Sequence, residues 1–347
     1  MIKVPVAFDG QSLITPESIA IRAASLKAVS HDEQFATALP RLALVLQIAQ
    51  QRFKSGGDPA RTTDHLFGEM HKLRASLDPA VWHELVPIAQ NHALSAFVHQ
   101  DPLTRWSFEK PRGYSGDAQL LDFIYGHEST DAAVVSATSL GRAIYSYLRE
   151  APAAQAVRER RDLLTHHVDQ IATARGPGAE ILTIAAGHLR EADRSTALRD
   201  GRISRWIALD QDPLSVGSVA RDFRGTPVDA IDGSVKGLLK DTYKLGTFDL
   251  IYSAGLYDYL VHGVAVKLAQ TCMRMLKPNG VLLFANFSPE LTDDGYMETF
   301  MNWALLLRSE SDMWDIINAS VDRNTVESTV HFGANRNIVY GIIKKRI

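Results

Sequence analysis

Residues 180–212 read EILTIAAGHLREADRSTALRDGRISRWIALDQD, and their pattern decides the fold. The apolar run Ile181 to Ile184 gives way to the small-residue turn Ala185-Ala186-Gly187. A second apolar run, Trp206 to Leu209, ends on the acid Asp210. A buried strand, a tight turn opening a helix, a second strand and a terminal carboxylate make one half of a nucleotide-binding crevice in an open α/β sheet.

The alternation continues downstream. A helix is expected over Leu214 to Phe223, then a short strand, Val228 to Ile231, ending at Asp232-Gly233-Ser234. Phe248 to Ser253 reads as a buried strand, Ala265 to Leu276 as a helix stopped by Lys277-Pro278-Asn279-Gly280, and Val281 to Phe284 as a fifth strand. Strands alternating with helices predict a mostly parallel sheet covered on both faces, with right-handed crossovers. Helical stretches lie between Gly295 and Asn318. Two strand-like runs, Glu327 to Phe332 and Ile338 to Lys344, then face each other across a polar turn as a terminal hairpin, which completes seven strands.

Upstream the period is helical. From Asp32, the residues Leu39, Leu42, Val45, Leu46 and Ala49 share one face until Gly56-Gly57. Further helices are expected over Thr63 to Ser76 and over Asp78 to His99, the latter opened by Asp78 as cap and Pro79 at the first helical position. Residues 1–30 are ambiguous: Ile2 to Phe8 and Ile19 to Ala28 read as short strands, or the second as a helix begun at Thr15-Pro16-Glu17. A polar loop over 100–117 carries Trp106, Phe108 and Tyr114, which suits a site-facing loop or ordinary domain packing. Helices over Asp117 to Tyr125, Ser139 to Ala151 and Ala153 to Ala174 lead to Gly176-Pro177-Gly178 and the first strand. The expected division is a helical domain over 1–130, with a site-capping loop at 100–117, and a nucleotide-binding domain over 131–347. The latter carries a substrate-facing helical insertion around 289–320.

Composition bounds the function. The 347 residues are 46% hydrophobic and 22% charged, enough for a full core, and a formal net charge of -3 makes no electrostatic case for nucleic acid or an anionic membrane. The single cysteine, Cys272, excludes an internal disulfide and a multi-cysteine metal site, and fits a reducing, cytoplasmic setting. The N-terminal MIKVPVAFDGQS has no apolar core for a signal peptide, and no uninterrupted apolar segment reaches membrane-spanning length, so no stable membrane insertion is expected. No His and acid cluster has metal-ligand spacing, so no metal is expected. The helical domain could serve as a lid or as a homodimer surface.

The glycine-rich dinucleotide fingerprint uses three glycines so that a pyrophosphate can approach a helix N-terminus. Here Gly187 stands alone and Leu189 is bulky, which suits a smaller, zwitterionic ligand end. Asp210 lies 23 residues after Gly187, where a carboxylate can take two ribose hydroxyls; Asp212 already fills the cap position before Pro213.

The ordered set of Ala185-Ala186-Gly187, Asp210 within LDQDP, Asp232-Gly233, FDLIYSAGLYDYL at 248–260 and LKPNGVLLF at 276–284 resembles the class I S-adenosylmethionine-dependent methyltransferases over roughly 155–347. The turn has fewer glycines than is usual there, and Thr183 stands where an acid is usual. The resemblance implies a Rossmann-like fold and S-adenosyl-L-methionine as cofactor. Ala185 and Gly187 would line its methionine end, Asp210 would hold the ribose, and Gln211 would lie beside adenine. Asp232 would accept from the adenine amino group with Gly233 next to it, and Ser253 and Gly255 would sit under the sulfonium. A narrower resemblance rests on KPRGYSGD at 110–117, AVRERRDLL at 156–164, GLYDYL at 255–260 and YMETFMNWALLLRSE at 296–310. These are similar to the bacterial extracellular-factor 3-hydroxypalmitic acid methyl ester biosynthesis methyltransferases, which implies carboxyl O-methylation of a hydroxy fatty acid.

Methyl transfer from a sulfonium is an in-line displacement, so the protein chiefly aligns the partners in a dry pocket. A carboxylate acceptor needs no base but does need placing. Arg112 and Tyr114 suit closure over a cofactor or orientation of an acceptor, and Tyr257 and Tyr259 follow the fourth strand at the ligand-binding edge. Tyr114, Tyr257 and Tyr259 are the candidate catalytic residues. Arg112, Tyr257, Phe287, Tyr296, Met297 and Trp303 are the candidate acceptor contacts, with Met301 beside them. Met301 and Trp303 also read as plain core by their spacing. Arg158 and Arg161 suit surface ion pairs or contacts to a ligand carboxylate, and His262 and His331 suit structural roles. For an amine or phenol acceptor a base is useful, and Asp258, Glu298 and His262 are the candidates. A dehydrogenase is disfavoured by the glycine-poor turn. A non-catalytic cofactor-binding protein is the alternative of another class.

Overall fold

The computed structural model describes residues 30–346, so the runs Ile2 to Phe8 and Ile19 to Ala28 lie outside the described residues. The described chain forms two compact units: one comprises 30–155 and 291–304, the other 156–290 and 305–346.

The first unit is helical. Its helices of eight residues or more are α1 (His31–Lys54), α2 (Pro59–Ala75), α3 (Pro79–Gln90), α4 (Pro102–Glu109), α5 (Ala118–Tyr125) and α6 (Ser139–Arg149). Each start is written in the sequence: the side chains of Ser30, Asp58, Asp78, Asp101, Asp117 and Thr138 accept hydrogen bonds from first-turn amides, and proline follows the cap in α2, α3 and α4. Leu42, Leu46, Ala49 and Phe53 form the buried face of α1; each large apolar side chain so buried contributes about 1.5–3 kcal/mol.

Four expectations are corrected here. The helix expected over 78–99 ends at Gln90, with a separate turn of helix at Ser95–Val98. The loop expected over 100–117 is helical through 102–109, because Asp101 accepts from the amides of Leu103 and Thr104 and Pro102 holds the first position. The units divide at Gln155 rather than 130, since α6 packs its Ile144, Tyr145 and Leu148 face into the helical core. The segment 289–320 is also divided. Residues 291–304 complete the helical unit, where a Cβ on Gly295 would stand 2.5 Å from the Met70 carbonyl carbon, and 305–320 belong to the second unit.

The second unit is built on helix α7 (Pro152–Arg175), whose first residues lie in the helical unit, and on a seven-stranded sheet. The strands are β1 (Ala179–Ile184), β2 (Ile203–Asp210), β3 (Val228–Asp232), β4 (Phe248–Ser253), β5 (Leu276–Phe287), β6 (Val326–Phe332) and β7 (Ile338–Lys345), in the order β3-β2-β1-β4-β5-β7-β6. β1 to β5 pair in parallel, and β7 is antiparallel to both β5 and β6. Every residue of β4 and all but one of β1 are buried, as continuous apolar runs require when both faces are covered. Gly341 on β7 leaves room for the Phe284 ring, which a Cβ would meet at 2.6 Å. Covering helices include Pro213–Asp222, His262–Arg274 and Glu310–Ser320.

Two further corrections concern loops. The Lys277-Pro278-Asn279-Gly280 stretch does not stop a helix. It lies inside β5, where the register against β4 slips between Phe248 and Leu250 and Asn279 takes a φ of 62°. No helix opens at the turn after β1; a single 3-10 turn at Ala192–Arg194 and a four-residue helix at Thr196–Arg199 precede β2. Left-handed backbone at Gly187 and Leu189, with φ 56° and 53°, keeps the chain out of a helix there.

Candidate functional site

Chain order reverses direction in the sheet between β1 and β4, since β2 and β3 extend it one way and β4 and β5 the other. Ligands of open α/β sheets bind outside the carboxyl ends of the strands at this switch point. The candidate cofactor residues Ala185, Gly187, Asp210, Gln211, Asp232, Gly233, Ser253 and Gly255 all stand at the carboxyl ends of β1 to β4.

The turn after β1 is pinned from both sides. The amide of Ala186 donates to the Leu209 carbonyl at 3.1 Å, the Gly187 amide to Asp210 Oδ2 at 2.7 Å, and the Ser253 hydroxyl to the Ile184 carbonyl at 3.0 Å. Ala185 takes a φ of 56°, a conformation that costs an L-residue about 1–2 kcal/mol. Asp210 also accepts from the Asp212 amide at 2.8 Å through Oδ1, which leaves each carboxylate oxygen a further lone pair. Burial pushes the Asp210 carboxyl above its ordinary range, and the Asp212 and Gly187 amides act against that rise. Asp232 pairs with Asp210 in register and is exposed, Gly233 is buried against Leu209, and Gln211 and Gly255 are half-buried. Asp212 caps the helix at Pro213, as expected.

Beneath this edge lies a buried polar layer, of which residue patterns alone single out Thr183 and Asp258 but not Glu191 or Arg160. Thr183, standing where an acid was looked for, accepts the indole N–H of Trp206 at 2.9 Å. Glu191, 7% exposed, accepts the Tyr252 hydroxyl at 2.5 Å, and burial pushes its carboxyl up. Asp258 accepts the Phe287 amide at 2.6 Å, and burial pushes it to about 6 against the attraction of Arg160 and Arg308. Arg160 of α7, 2% exposed, donates through Nη1 to the Ala254 carbonyl at 2.9 Å. The signal for Arg160 was present: Ala156, Val157, Arg160, Leu164, Val168 and Ala172 form the buried stripe of α7, so this arginine falls on the apolar face.

Several expected acceptor contacts are core residues. Tyr257 is wholly buried and stacked on Phe284 at 4.5 Å, with a hydroxyl that has no hydrogen-bond partner among the described residues. It belongs to the core, drawn there by the apolar floor around Cys272. Tyr259 is 8% exposed, and Phe287 lies beside Arg160, whose guanidinium carbon stands 6.0 Å from the ring centroid. Tyr296 is wholly buried in the helical unit, stacked on Phe67 at 4.2 Å and sharing a 3.0 Å hydrogen bond with Thr104. Met297, Met301 and Trp303 line a cavity of about 30 Å³ in that core, as their helical spacing allowed. Arg112 and Tyr114 are half-buried in the loop of the same unit, where Trp106 donates to Asp117 and Ser115 donates to the Asn302 carbonyl at 3.4 Å.

The base candidates differ in setting. Glu298 is engaged by Arg74 and by the indole N–H of Trp82 in the helical unit, His262 is exposed, and Asp258 stays in the buried layer. Among the described residues no group of His, Cys, Asp and Glu is arranged to hold a metal, and no helix is long and apolar enough to cross a membrane.

No protein-family model and no curated protein matches the sequence. Among solved structures, a possible exported protein from Bordetella parapertussis is similar at 17% identity over 89% of this chain and 97% of that chain, with a TM-score of 0.54. The N-methyltransferase NodS from Bradyrhizobium japonicum WM9, in complex with S-adenosyl-L-homocysteine, is similar at 17% identity over 63% of this chain and 97% of that chain, with a TM-score of 0.40. A SAM-dependent methyltransferase from Leishmania major is similar at 17% identity over 65% of this chain and 81% of that chain, with a TM-score of 0.41. The strand order, with β7 inserted antiparallel between β5 and β6, is that of the Rossmann-like class I methyltransferase fold, accompanied by a helical N-terminal region.

Proposed function

We propose that the protein transfers a methyl group from S-adenosyl-L-methionine to a small-molecule acceptor, and that the acceptor atom is a carboxylate oxygen of a hydroxy fatty acid or similar metabolite. The observation that carries the reading is the convergence, at the switch point, of a left-handed turn and a carboxylate that already holds it. Gly187 and Asp210 form one hydrogen-bonded unit with lone pairs to spare for two hydroxyls. The chain's residues fit the cofactor: Ala185 and Gly187 offer a tight backbone surface to its amino-acid end, Asp210 its ribose site, Asp232 and Gly233 its adenine site. When bound, that group supplies an electrophilic methyl.

The protein's part is to bind, to orient and to exclude water. A carboxylate acceptor is already anionic at neutral pH, so no side chain need remove a proton. Arg112 and Tyr114 are proposed to orient the acceptor. Tyr257 drops out of the proposed catalytic set because its ring is in the core; Tyr114 and Tyr259 remain in it, and Phe287 remains a proposed acceptor contact. N- or O-methylation of an amine or phenol is favoured by one observation, the placement of Asp258 in the buried layer with a carboxyl near 6, a value suited to a general base at neutral pH. A cytoplasmic setting, a nucleic-acid-free acceptor and assembly as a homodimer belong to the same proposal.

Calorimetric titration with S-adenosylhomocysteine tests the cofactor; no binding, or unchanged binding by Asp210→Ala, overturns it. Incubation with labelled methyl donor and a panel of hydroxy acids, amines and phenols tests the acceptor. Label that survives mild alkaline hydrolysis argues against an ester. Binding without transfer to any panel member favours a regulatory cofactor-binding protein.

A further inference from the structure

Arg160 is a buried cation short of an anion. Its side chain makes one hydrogen bond, Nη1 to the Ala254 carbonyl at 2.9 Å, and its buried Nε has no partner among the described residues. The two carboxylates whose charge acts on it are engaged elsewhere, Glu191 by the Tyr252 hydroxyl and Asp258 by the Phe287 amide. A guanidinium stays charged and carries five donors in a planar fork, so holding it in the interior with a single neutral acceptor is costly. Replacement of the position by an apolar residue would complete the stripe of α7 at no such cost.

One side of the fork lies against bare backbone. A Cβ on Gly255 would stand 3.6 Å from Nη2, at ordinary van der Waals distance, so the buried guanidinium faces the glycine at the carboxyl end of β4. Ser253, two residues earlier, ties that end to the turn after β1. We infer that Arg160 is the carboxylate-binding residue of the candidate site, receiving the two oxygens of a ligand carboxylate on its free donors. This rests on the methyltransferase reading, in which a carboxylate comes either from the amino-acid end of the cofactor or from the acceptor.

The test uses the full chain as wild type, Arg160→Met and Arg160→Lys, each checked for folding by thermal circular dichroism. Each is titrated calorimetrically with S-adenosylhomocysteine, with 5′-methylthioadenosine, which lacks the amino-acid end, and with octanoate in the presence of saturating S-adenosylhomocysteine. For a cofactor carboxylate, wild type prefers S-adenosylhomocysteine over 5′-methylthioadenosine by about tenfold or more. Arg160→Met then binds 5′-methylthioadenosine like wild type while that preference collapses, and Arg160→Lys lies between. For an acceptor carboxylate, the nucleoside preference survives in Arg160→Met and octanoate binding is lost. A folded Arg160→Met that keeps both properties, or loses both nucleosides equally, overturns the inference and leaves Arg160 a strut for Ala254. If Arg160→Met does not fold, Arg160→Lys decides by the same ratios, its charge kept and its fork lost. Wild type that binds neither nucleoside overturns the methyltransferase reading itself, and this inference with it.

Discussion

The amide of Gly187 donates to Asp210 Oδ2 at 2.7 Å, so the turn after β1 and the acid closing β2 are one structural element. Substitution of Asp210 therefore has a stability effect as well as a binding effect. Asp210→Ala removes the acceptors of two backbone amides, an expected loss of about 1–3 kcal/mol in urea unfolding. Asp210→Asn keeps one carbonyl acceptor, should retain most of that stability, and should still bind S-adenosylhomocysteine at least about tenfold more weakly. Equal affinities of the Asp210→Asn variant and wild type would remove the ribose role.

The turn itself can be tested by exchanging its residue types. Ala185 and Gly187 share a φ of 56°, which a Cβ disfavours. Ala185→Gly is expected to raise unfolding free energy by up to about 1 kcal/mol, and Gly187→Ala to lower it by about 1–2 kcal/mol. Equilibrium denaturation of both variants checks the signs; a loss in both would mean that side-chain contacts of Ala185 outweigh its backbone strain.

Asp258 makes a prediction for pH. Its folded carboxyl titrates near 6 against an unfolded value of 3.8, with burial as the main cause. Between these values the folded state holds the extra proton, so this group's contribution to stability falls as pH rises through the window and its cost is complete above 6. Asp258→Asn removes that cost. Its stability relative to wild type should climb from pH 4 to pH 6 and then level, by about 3 kcal/mol at most. A difference independent of pH would show that Arg160 and Arg308 compensate the charge fully.

Tyr296 and Tyr114 separate packing from function within the helical unit. Tyr296→Phe loses the hydrogen bond to Thr104 and should cost about 1 kcal/mol of stability with kcat and KM unchanged. Tyr114→Ala should raise KM for cofactor or acceptor and depress turnover while leaving the melting temperature nearly intact. Steady-state assays paired with scanning calorimetry distinguish them, and an inverted pattern would exchange the two roles.

The strands, their parallel pairing and the terminal hairpin were legible because burial on both faces demands continuous apolar runs, as in Phe248 to Ser253. The acids at 210 and 232 were legible because they end such runs. Helix starts were legible in their caps, as at Asp78, and the helix at Pro102–Glu109 carries the same signal in Asp101 and Pro102. Arg160 was not legible from the charge of AVRERRDLL, which Arg158 and Arg161 share; only the helical period distinguishes the one turned inward.

Local chemistry, written in side-chain type and spacing, thus determined by itself the α/β alternation, the seven strands and the carboxyl-edge positions of Ala185, Gly187, Asp210, Asp232 and Ser253. Tertiary structure alone decided which side chains the two cores took: Tyr257 onto Phe284, Tyr296 onto Phe67, and Trp303 into a helical core formed by residues nearly two hundred positions away. An aromatic residue is equally suited by its surface to a ligand or to a core. Only the apolar partners that packing brings within reach determine which it meets.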